Sequence, residues 1–339
     1  MTDRLFRVKP ETIEWLLENE NPSVRYDTLT GYFKKPADDP EVVEARAAIM
    51  KTGVVPKILS KQKPGGYWVH PLNYYDPTKY KGTVWQLIVL AAVGADGRDE
   101  RLAQAANYIL EYAQDRQSGG FAYKPGLAGG GDHENVIPCL TGNMVWSLLR
   151  LGYGNDERVQ QGVDWIVKYL RFDDKEKTTP KGWPYDVRTQ CWGKHTCMMG
   201  IVKCLKALEE IPSAERSREV NAVINSAAEF LLRHHVFKRS HNLSKNAKES
   251  WLLFGFPLMY NTDVLEMMGL LTSLGYREIR MDEAVGLILS KQDPEGRWMM
   301  ETSFNRRMQV NIEQEGKPSK WITLSAIRTL TSLGDKDRI

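Results

Sequence analysis

The sequence lacks a long hydrophobic run and a strong excess of charge of either sign. No window of the 339 residues approaches the roughly 18 consecutive apolar residues of a membrane span. The first stretch, MTDRLFRVKPETIEW, has no hydrophobic signal-peptide region. Lys and Arg number 46 against 43 Asp and Glu, so a net charge of +3 creates no field that would gather nucleic acid or an anionic membrane. We therefore expect a cytoplasmic protein with no transmembrane segment and no nucleic-acid partner.

Cysteine and histidine are scarce, with four and six residues respectively. Four cysteines in a chain of this size, in a reducing compartment, are poor candidates for a disulfide framework and better candidates for thiols or metal ligands. Hydrophobic residues make up 42% of the chain and include ten tryptophans. This composition is ample for a sizeable core and excludes a disordered chain.

Apolar helical segments recur along the chain and end on a glycine. In three of them a threonine precedes the closing glycine by eleven residues, and a glycine after the last periodic residue is a C-cap signal. A second, more amphipathic segment with charges on one face follows the apolar segments near 83–94, 140–152 and 262–274, which predicts alternating buried inner helices and half-exposed outer helices. The three pairs are Thr83 and Gly94, Thr141 and Gly152, and Thr323 and Gly334.

The repeats predict an all-α chain that forms a single domain over residues 1–339. Residues 1–40 are expected to supply either a sixth helix pair or an N-terminal extension. The inner helices are predicted near 83–94, 140–152, 195–208, 262–274 and 320–333. The outer helices are predicted near 41–60, 99–115, 156–170, 217–234 and 278–291.

Glycine-aromatic turns separate the predicted repeats, as in KQKPGGYW at 61–68 and KQDPEGRW at 291–298. These turns resemble the Q-x-x-x-G-x-W motif of the squalene-cyclase and protein-prenyltransferase repeat families. The resemblance covers most of the chain from about residue 41 and implies an (α/α)6 toroid, a double ring of inner and outer helices around a central cavity.

The same resemblance implies an enzyme that acts on a hydrophobic or isoprenoid-like substrate in that cavity. The D-x-D-D acid motif of class II terpenoid cyclases is absent from the sequence, which argues against a standard cyclase. A prenyltransferase β-like subunit would require a partner subunit and a catalytic zinc, and an obligate partner remains open. A non-catalytic toroid that binds a peptide or a lipid is the alternative, because one fold hosts many functions.

The stretch CWGKHTC at 191–197 concentrates soft metal ligands. Cys191, His195 and Cys197 lie at the entry to one predicted inner helix, and Cys139 occupies the matching entry to another. Zinc prefers three or four Cys or His ligands, so these four residues are a candidate zinc site. Two alternatives stay open: a thiolate nucleophile activated by His195, and plain core packing of the cysteines.

Polar and aromatic residues of the predicted inner helices are the other site candidates. Burying an unpaired polar group is costly, so a polar side chain in an apolar helix calls for a function or a structural partner. Asp186 and Asp263 are the leading general acids, and His133 in a glycine-rich loop is a candidate acid or base. An aromatic lining would suit an isoprenoid chain or a carbocation. The expected substrate-binding residues are Trp85, Gln86, Asn143, Trp146, Tyr185 and Trp192.

Overall fold

The computed structural model describes residues 6–76, 80–172 and 178–334, and this part of the chain is mainly α-helical. A single two-stranded antiparallel hairpin accompanies the helices there, β1 (Lys238–Arg239) with β2 (Asn242–Asn246). The helices of the described part are α1 (Pro10–Leu16), α2 (Pro22–Asp27), α3 (Pro40–Ile49), α4 (Val54–Leu59), α5 (Thr83–Ala92), α6 (Glu100–Tyr112), α7 (Pro138–Arg150), α8 (Glu157–Tyr169), α9 (Met198–Glu209), α10 (Arg218–Arg233), α11 (Val264–Ser273), α12 (Asp282–Ser290) and α13 (Lys320–Gly334).

Inner and outer helices alternate along the chain, as the sequence predicts. The helices α5, α7, α9 and α11 bury almost their whole surface, and α13 buries most of its residues but exposes Ser325 and Arg328. Each of the five packs against its inner neighbour in that order. The outer helices α6, α8, α10 and α12 each keep a solvent-exposed polar side. Asp99 and Asp156 cap α6 and α8 by accepting backbone N–H bonds, which satisfies amides that have no partner inside the helix.

The repeated threonine fixes each glycine-aromatic turn to the inner helix that follows it. Thr141 Oγ1 accepts the backbone N–H of Phe121 at 2.9 Å, and Thr323 Oγ1 accepts that of Trp298 at 2.9 Å. Thr83 accepts the N–H of Trp68 in the same way. All three threonines are fully buried, so each side chain satisfies a backbone donor that water cannot reach.

The first helices contact the last ones. Helices α1 and α2 both pack against α13. Thr12 Oγ1 in α1 donates to the carbonyl oxygen of Glu295 at 2.9 Å, in the turn before α13, and Lys320 forms an ion pair with Glu18 at 2.6 Å. The N-terminal helices therefore pack on the last inner helix.

Two predicted boundaries differ in the structure. The outer helix expected at 41–60 is divided into α3 and α4, because Gly53 takes a φ of +77° that interrupts the helix. The glycines Gly94 and Gly152 end α5 and α7 with positive φ as predicted, whereas Gly334 is still part of α13. Among the described residues, no helix has the length and apolarity needed to cross a membrane.

Candidate functional site

The inner helices enclose a cavity of about 320 Å³. Its walls come from all five of the inner helices α5, α7, α9, α11 and α13, and the segment at 255–259 covers part of it. Asn143 holds that segment in place by donating its side-chain N–H to the carbonyl oxygen of Met259 at 3.1 Å. The cavity therefore lies where the fold brings the buried helices together.

A charged pair is buried in the cavity wall between α9 and α11. Lys203 Nζ lies 2.8 and 2.7 Å from the two carboxylate oxygens of Glu266, and the two side chains are only 1% and 9% exposed. Lys206, one turn further along α9, contacts Glu266 Oε1 at 3.1 Å. Burial alone would raise the pKa of Glu266, but the two lysine charges overcome it and lower that pKa to about 2. Glu266 is therefore a fixed negative charge at neutral pH.

Lys203 is buried as well, but burial shifts its pKa in the opposite direction from that of Glu266. Loss of water around its ammonium group lowers the pKa of Lys203, and the carboxylate of Glu266 partly opposes this effect. The side chain reaches this position because Gly142 on α7 allows the two helices to approach closely. A Cβ atom at Gly142 would lie 2.4 Å from the backbone carbon of Lys203.

Asp263 lies beside this pair at the start of α11, and its pKa is shifted in the opposite direction from that of Glu266. Its two carboxyl oxygens accept the backbone N–H groups of Glu266 at 2.8 Å and of Gly255 at 3.1 Å. Burial, together with the nearby negative charge of Glu266, outweighs these bonds and raises the pKa of Asp263 to about 7. A carboxyl group in the cavity wall thus exchanges its proton near neutral pH.

Aromatic rings form another part of the cavity wall. The ammonium of Lys206 lies 3.8 Å from the centroid of the Trp146 ring, a cation–π contact. Phe256 stacks on Trp321 with ring centroids 4.3 Å apart, and both rings line the cavity. The buried indole N–H of Trp321 has no hydrogen-bond partner within the described ranges. The cavity therefore combines apolar walls with a charged end.

Three of the residues predicted from the sequence line this cavity: Asp263, Asn143 and Trp146. Trp85 and Gln86 lie instead in the surrounding core. Trp85 donates to the carbonyl oxygen of Asp76 at 3.0 Å, and Gln86 donates to that of Tyr80 at 3.1 Å. Their polar groups thus serve the structure of the segment before α5.

The other predicted residues lie outside the cavity. Asp186 is exposed in a turn, where it accepts the N–H of Gly182 at 2.8 Å. His133 pairs with Asp115 at 2.7 Å, and its ring stacks on Trp183 at 4.1 Å. Tyr185 and Trp192 pack edge to face, with ring centroids 5.4 Å apart, in the segment that connects α8 to α9. These residues form a separate aromatic region and not a substrate wall of the inner cavity.

The predicted zinc ligands are not brought together as a set of four. Cys139, Cys191 and Cys197 lie near one another at the N-terminal ends of α7 and α9. His195 turns the other way, since its ring packs against Phe230 of α10 at 4.8 Å. Throughout the part of the chain that the structure describes, no group of three or more His, Cys, Asp or Glu side chains is arranged to hold a metal ion. This arrangement gives no support for the zinc site, which stays a prediction.

Lys203, Lys206 and Arg328 also line the cavity, and none of them is among the residues predicted from the sequence. A signal for the two lysines was present. In MMGIVKCLKALEE, a lysine interrupts an apolar helix and a second follows three residues later, on the same side of the helix. Arg328 carries no such signal, because its segment of α13 reads as an ordinary amphipathic helix.

Comparison with known proteins identifies no family. No known protein family matches the sequence, and no curated protein is similar to it. Among solved structures, cellobiose 2-epimerase from Bacillus thermoamylovorans is 12% identical with a TM-score of 0.46, covering 74% of this chain and 71% of that one. Type II terpene cyclase MstE from Scytonema is 13% identical with a TM-score of 0.29, covering 83% and 96%. Salmonella alpha-2-macroglobulin is 14% identical with a TM-score of 0.34, covering 82% and 17%.

These TM-scores are all below 0.5, so the similarities assign neither a family nor a substrate to this chain. The resemblance to the squalene-cyclase and prenyltransferase repeat families stays a prediction from the turns. Any functional proposal must therefore start from the cavity itself.

Proposed function

We propose that this chain is an enzyme that performs general acid–base catalysis in the inner cavity, with Asp263 carrying the proton. The observation that supports this most directly is the contrast between two neighbouring carboxyl groups. The pKa of Asp263 is raised to about 7, whereas that of Glu266 is lowered to about 2. Pairs of carboxyl groups whose environments separate their pKa values are typical of acid–base sites.

The chemistry follows from this contrast. A group with a pKa near the working pH is present in both its acid and its base form, and proton transfer by a positioned side chain contributes about 10²–10⁴-fold to a rate. Lys203 and Glu266 are held by two short contacts, so their charges need no rearrangement during a reaction. In this proposal Asp263 moves the proton and the ion pair stabilises the charge that develops.

We further propose a small amphiphilic substrate. Its apolar part, which can be isoprenoid-like, would lie against Leu270, Phe256 and Trp321, while its polar group would face Lys206. A volume of about 320 Å³ lies at the lower end of the range for small-molecule pockets, about 300–1,000 Å³. A carboxyl group with a pKa near 7 suits proton transfer at a hydroxyl or beside a carbonyl, because an isolated double bond requires a far stronger acid.

The same proposal includes the closed form of the fold. With α2 as a sixth inner helix and α1 as a sixth outer helix, the chain would make the six pairs of an (α/α)6 toroid. The contacts of α1 and α2 with α13 support this arrangement. A closed ring would hold the helices that form the cavity walls in fixed positions relative to one another. A site that acts through preorganised charges requires such fixed positions.

The test uses three probes that share a chain of fifteen carbons: farnesol, farnesoic acid and farnesyl diphosphate. Each is incubated with the protein in D2O, and deuterium incorporation or a new product is measured by mass spectrometry. We expect turnover of at least one probe, a loss of at least about 100-fold in Asp263→Asn, and no loss in Asp186→Asn. Asparagine is also a good N-cap, so the first variant keeps the start of α11.

Three outcomes would contradict the proposal in different ways. Turnover that survives in Asp263→Asn would remove Asp263 from the catalytic role. Tryptophan quenching by a probe without any turnover would favour the non-catalytic toroid, which binds a lipid and converts nothing. Neither binding nor turnover of any of the three probes would reject the isoprenoid-like substrate.

A further inference from the structure

The stretch CWGKHTC forms a narrow antiparallel loop whose two ends are its cysteines. Trp192 and Thr196 form an antiparallel bridge, and the backbone N–H of Cys197 donates to the carbonyl oxygen of Cys191 at 2.9 Å. Cys191 and Cys197 are thus the next pair of residues directly opposite each other. Such pairs have Cα atoms about 4.5–5.5 Å apart, which lies inside the range of about 4.4–6.8 Å that a disulfide bond requires.

The two thiols already interact. The thiol of Cys191 acts as hydrogen-bond donor to the sulfur of Cys197, and this contact lowers the pKa of Cys197 to about 7 against the effect of burial. The Gly200 amide at the N-terminus of α9 and the charge of Lys248 add to the lowering. The same hydrogen bond, together with burial, raises the pKa of Cys191. Of the two sulfurs, Cys197 is therefore the one that loses its proton more readily.

The other two cysteines provide an internal contrast. Burial raises the pKa of Cys139 to about 12 and also raises that of Cys204, whose thiol donates to the carbonyl oxygen of Pro138 at 3.4 Å. Both are buried, whereas Cys191 and Cys197 are each partly exposed. Accessibility thus separates Cys191 and Cys197 from the other two cysteines, and Cys197 is the one cysteine of the four whose pKa is lowered.

We propose that Cys191 and Cys197 form a redox-active dithiol that a peroxide converts into an intrachain disulfide. The Cys197 thiolate attacks one peroxide oxygen, the O–O bond breaks, and the other oxygen leaves as water or an alcohol after taking up a proton. The Cys191 sulfur then attacks the sulfenic acid of Cys197, the S–O bond breaks, and the thiol proton leaves with the hydroxide as water. Two thiols lose two electrons in all, and the peroxide gains them.

This dithiol is independent of the acid–base cavity. Neither cysteine is among the residues that line the cavity. Oxidation would tie together the two ends of the loop that leads into α9, the helix that carries Lys203 and Lys206. The site is therefore a modification site in its own right, whether or not the cavity proposal holds.

The experiment uses the full chain, reduced and then freed of reductant. One equivalent of hydrogen peroxide is added, free thiols are alkylated with iodoacetamide, and peptides are analysed by mass spectrometry. We expect the free thiols to fall from four to two per chain, with a disulfide joining Cys191 to Cys197. In Cys191→Ser we expect the sulfenic acid of Cys197 to accumulate and to be trapped by dimedone. In the matched control Cys204→Ser the same disulfide should form.

A second measurement does not depend on any substitution at the pair. The alkylation rate of each cysteine in the wild-type protein is followed from pH 5 to 10, and we expect Cys197 to react first with a midpoint near pH 7. Four free thiols after peroxide treatment, a disulfide that includes Cys139, or equal alkylation of all four cysteines would overturn the proposal. So would one equivalent of zinc, released when Cys191 and Cys197 are alkylated.

Discussion

At the scale of single residues, a buried lysine with two carboxyl groups on the next helix decides the chemistry of the cavity. Asp263 and Glu266 are three residues apart, yet only Glu266 contacts Lys203 directly. Asp263 instead accepts two backbone N–H groups, which carry only partial charge. The full charge of a lysine outweighs the cost of burial for Glu266, and the partial charges do not outweigh it for Asp263.

Removing one member of the buried pair should be costly. In Glu266→Gln the ammonium of Lys203 would remain buried without its counter-charge, and breaking such a pair costs about 3–5 kcal/mol of the free energy of unfolding. Urea denaturation measures this loss. The control Glu229→Gln breaks the exposed pair with Arg280 and should cost less than about 1 kcal/mol. Equal effects of the two substitutions would contradict the burial argument.

The raised pKa of Asp263 predicts a specific pH dependence of stability. Folding favours the protonated form, so this contribution is complete below about pH 4 and is lost as the pH rises to about 7. Relative to Asp263→Asn, the wild type should lose at most about 4 kcal/mol over this interval. Glu266 has the opposite sign, because its contribution is lost as the pH falls from 4.5 to about 2.

The measurement is therefore the free energy of unfolding of both proteins between pH 4.5 and 8, where Glu266 stays ionised in the folded state. A difference between wild type and Asp263→Asn that does not change with pH would show that Asp263 has an ordinary pKa.

The sequence predicts part of this site. Asp263, Asn143 and Trp146 were found because a polar or aromatic side chain stands out in an apolar helix. Cys139 and His195 show what the sequence could not predict. Sequence position places both at the entry to inner helices, but it does not give the direction in which a side chain points. His195 packs against Phe230 of α10, and this contact depends on packing between residues distant in sequence.

At the scale of the helices, one threonine per repeat links the turn to the inner helix. The register of threonine and glycine was visible in the sequence, but its cause was not. The hydroxyl accepts a backbone N–H from a residue 15 to 25 positions earlier, and this partner becomes evident once the turn is folded back. Helix boundaries follow from local patterns, whereas such a bond depends on the fold.

Thr141→Val tests this link at nearly constant shape. The substitution leaves the buried N–H of Phe121 without its acceptor, and an unsatisfied buried donor costs about 1–3 kcal/mol. The control Thr331→Val removes a bond from a partly exposed threonine to its own helix and should change stability by less than about 0.5 kcal/mol. Thermal unfolding of both variants gives the comparison. A neutral Thr141→Val would assign the repeated threonine to packing alone.

At the scale of the whole molecule, the short first helix is part of the main core. Leu16 of α1 is completely buried with the inner helices, although it lies about 300 residues before the segments it meets. The sequence left residues 1–40 open between a sixth pair and an extension, because their helices are short and carry no repeat motif. The contacts of α1 and α2 with α13 favour the pair.

Leu16→Ala distinguishes these two roles. If α1 belongs to the core, the substitution leaves a cavity and costs about 2–5 kcal/mol. The matched control Leu253→Ala changes an exposed leucine and should cost less than about 0.5 kcal/mol. Calorimetry or urea unfolding reports both values, and a tolerated Leu16→Ala would make α1 an appendage.

The joint between the first and last helices also constrains the order of events during synthesis. Thr12 and its partner Glu295 are 283 residues apart, so α1 leaves the ribosome long before its binding surface exists. At about 5–20 residues per second, this interval is about 15–60 s. During that time Leu16 lacks the surface that buries it in the folded chain.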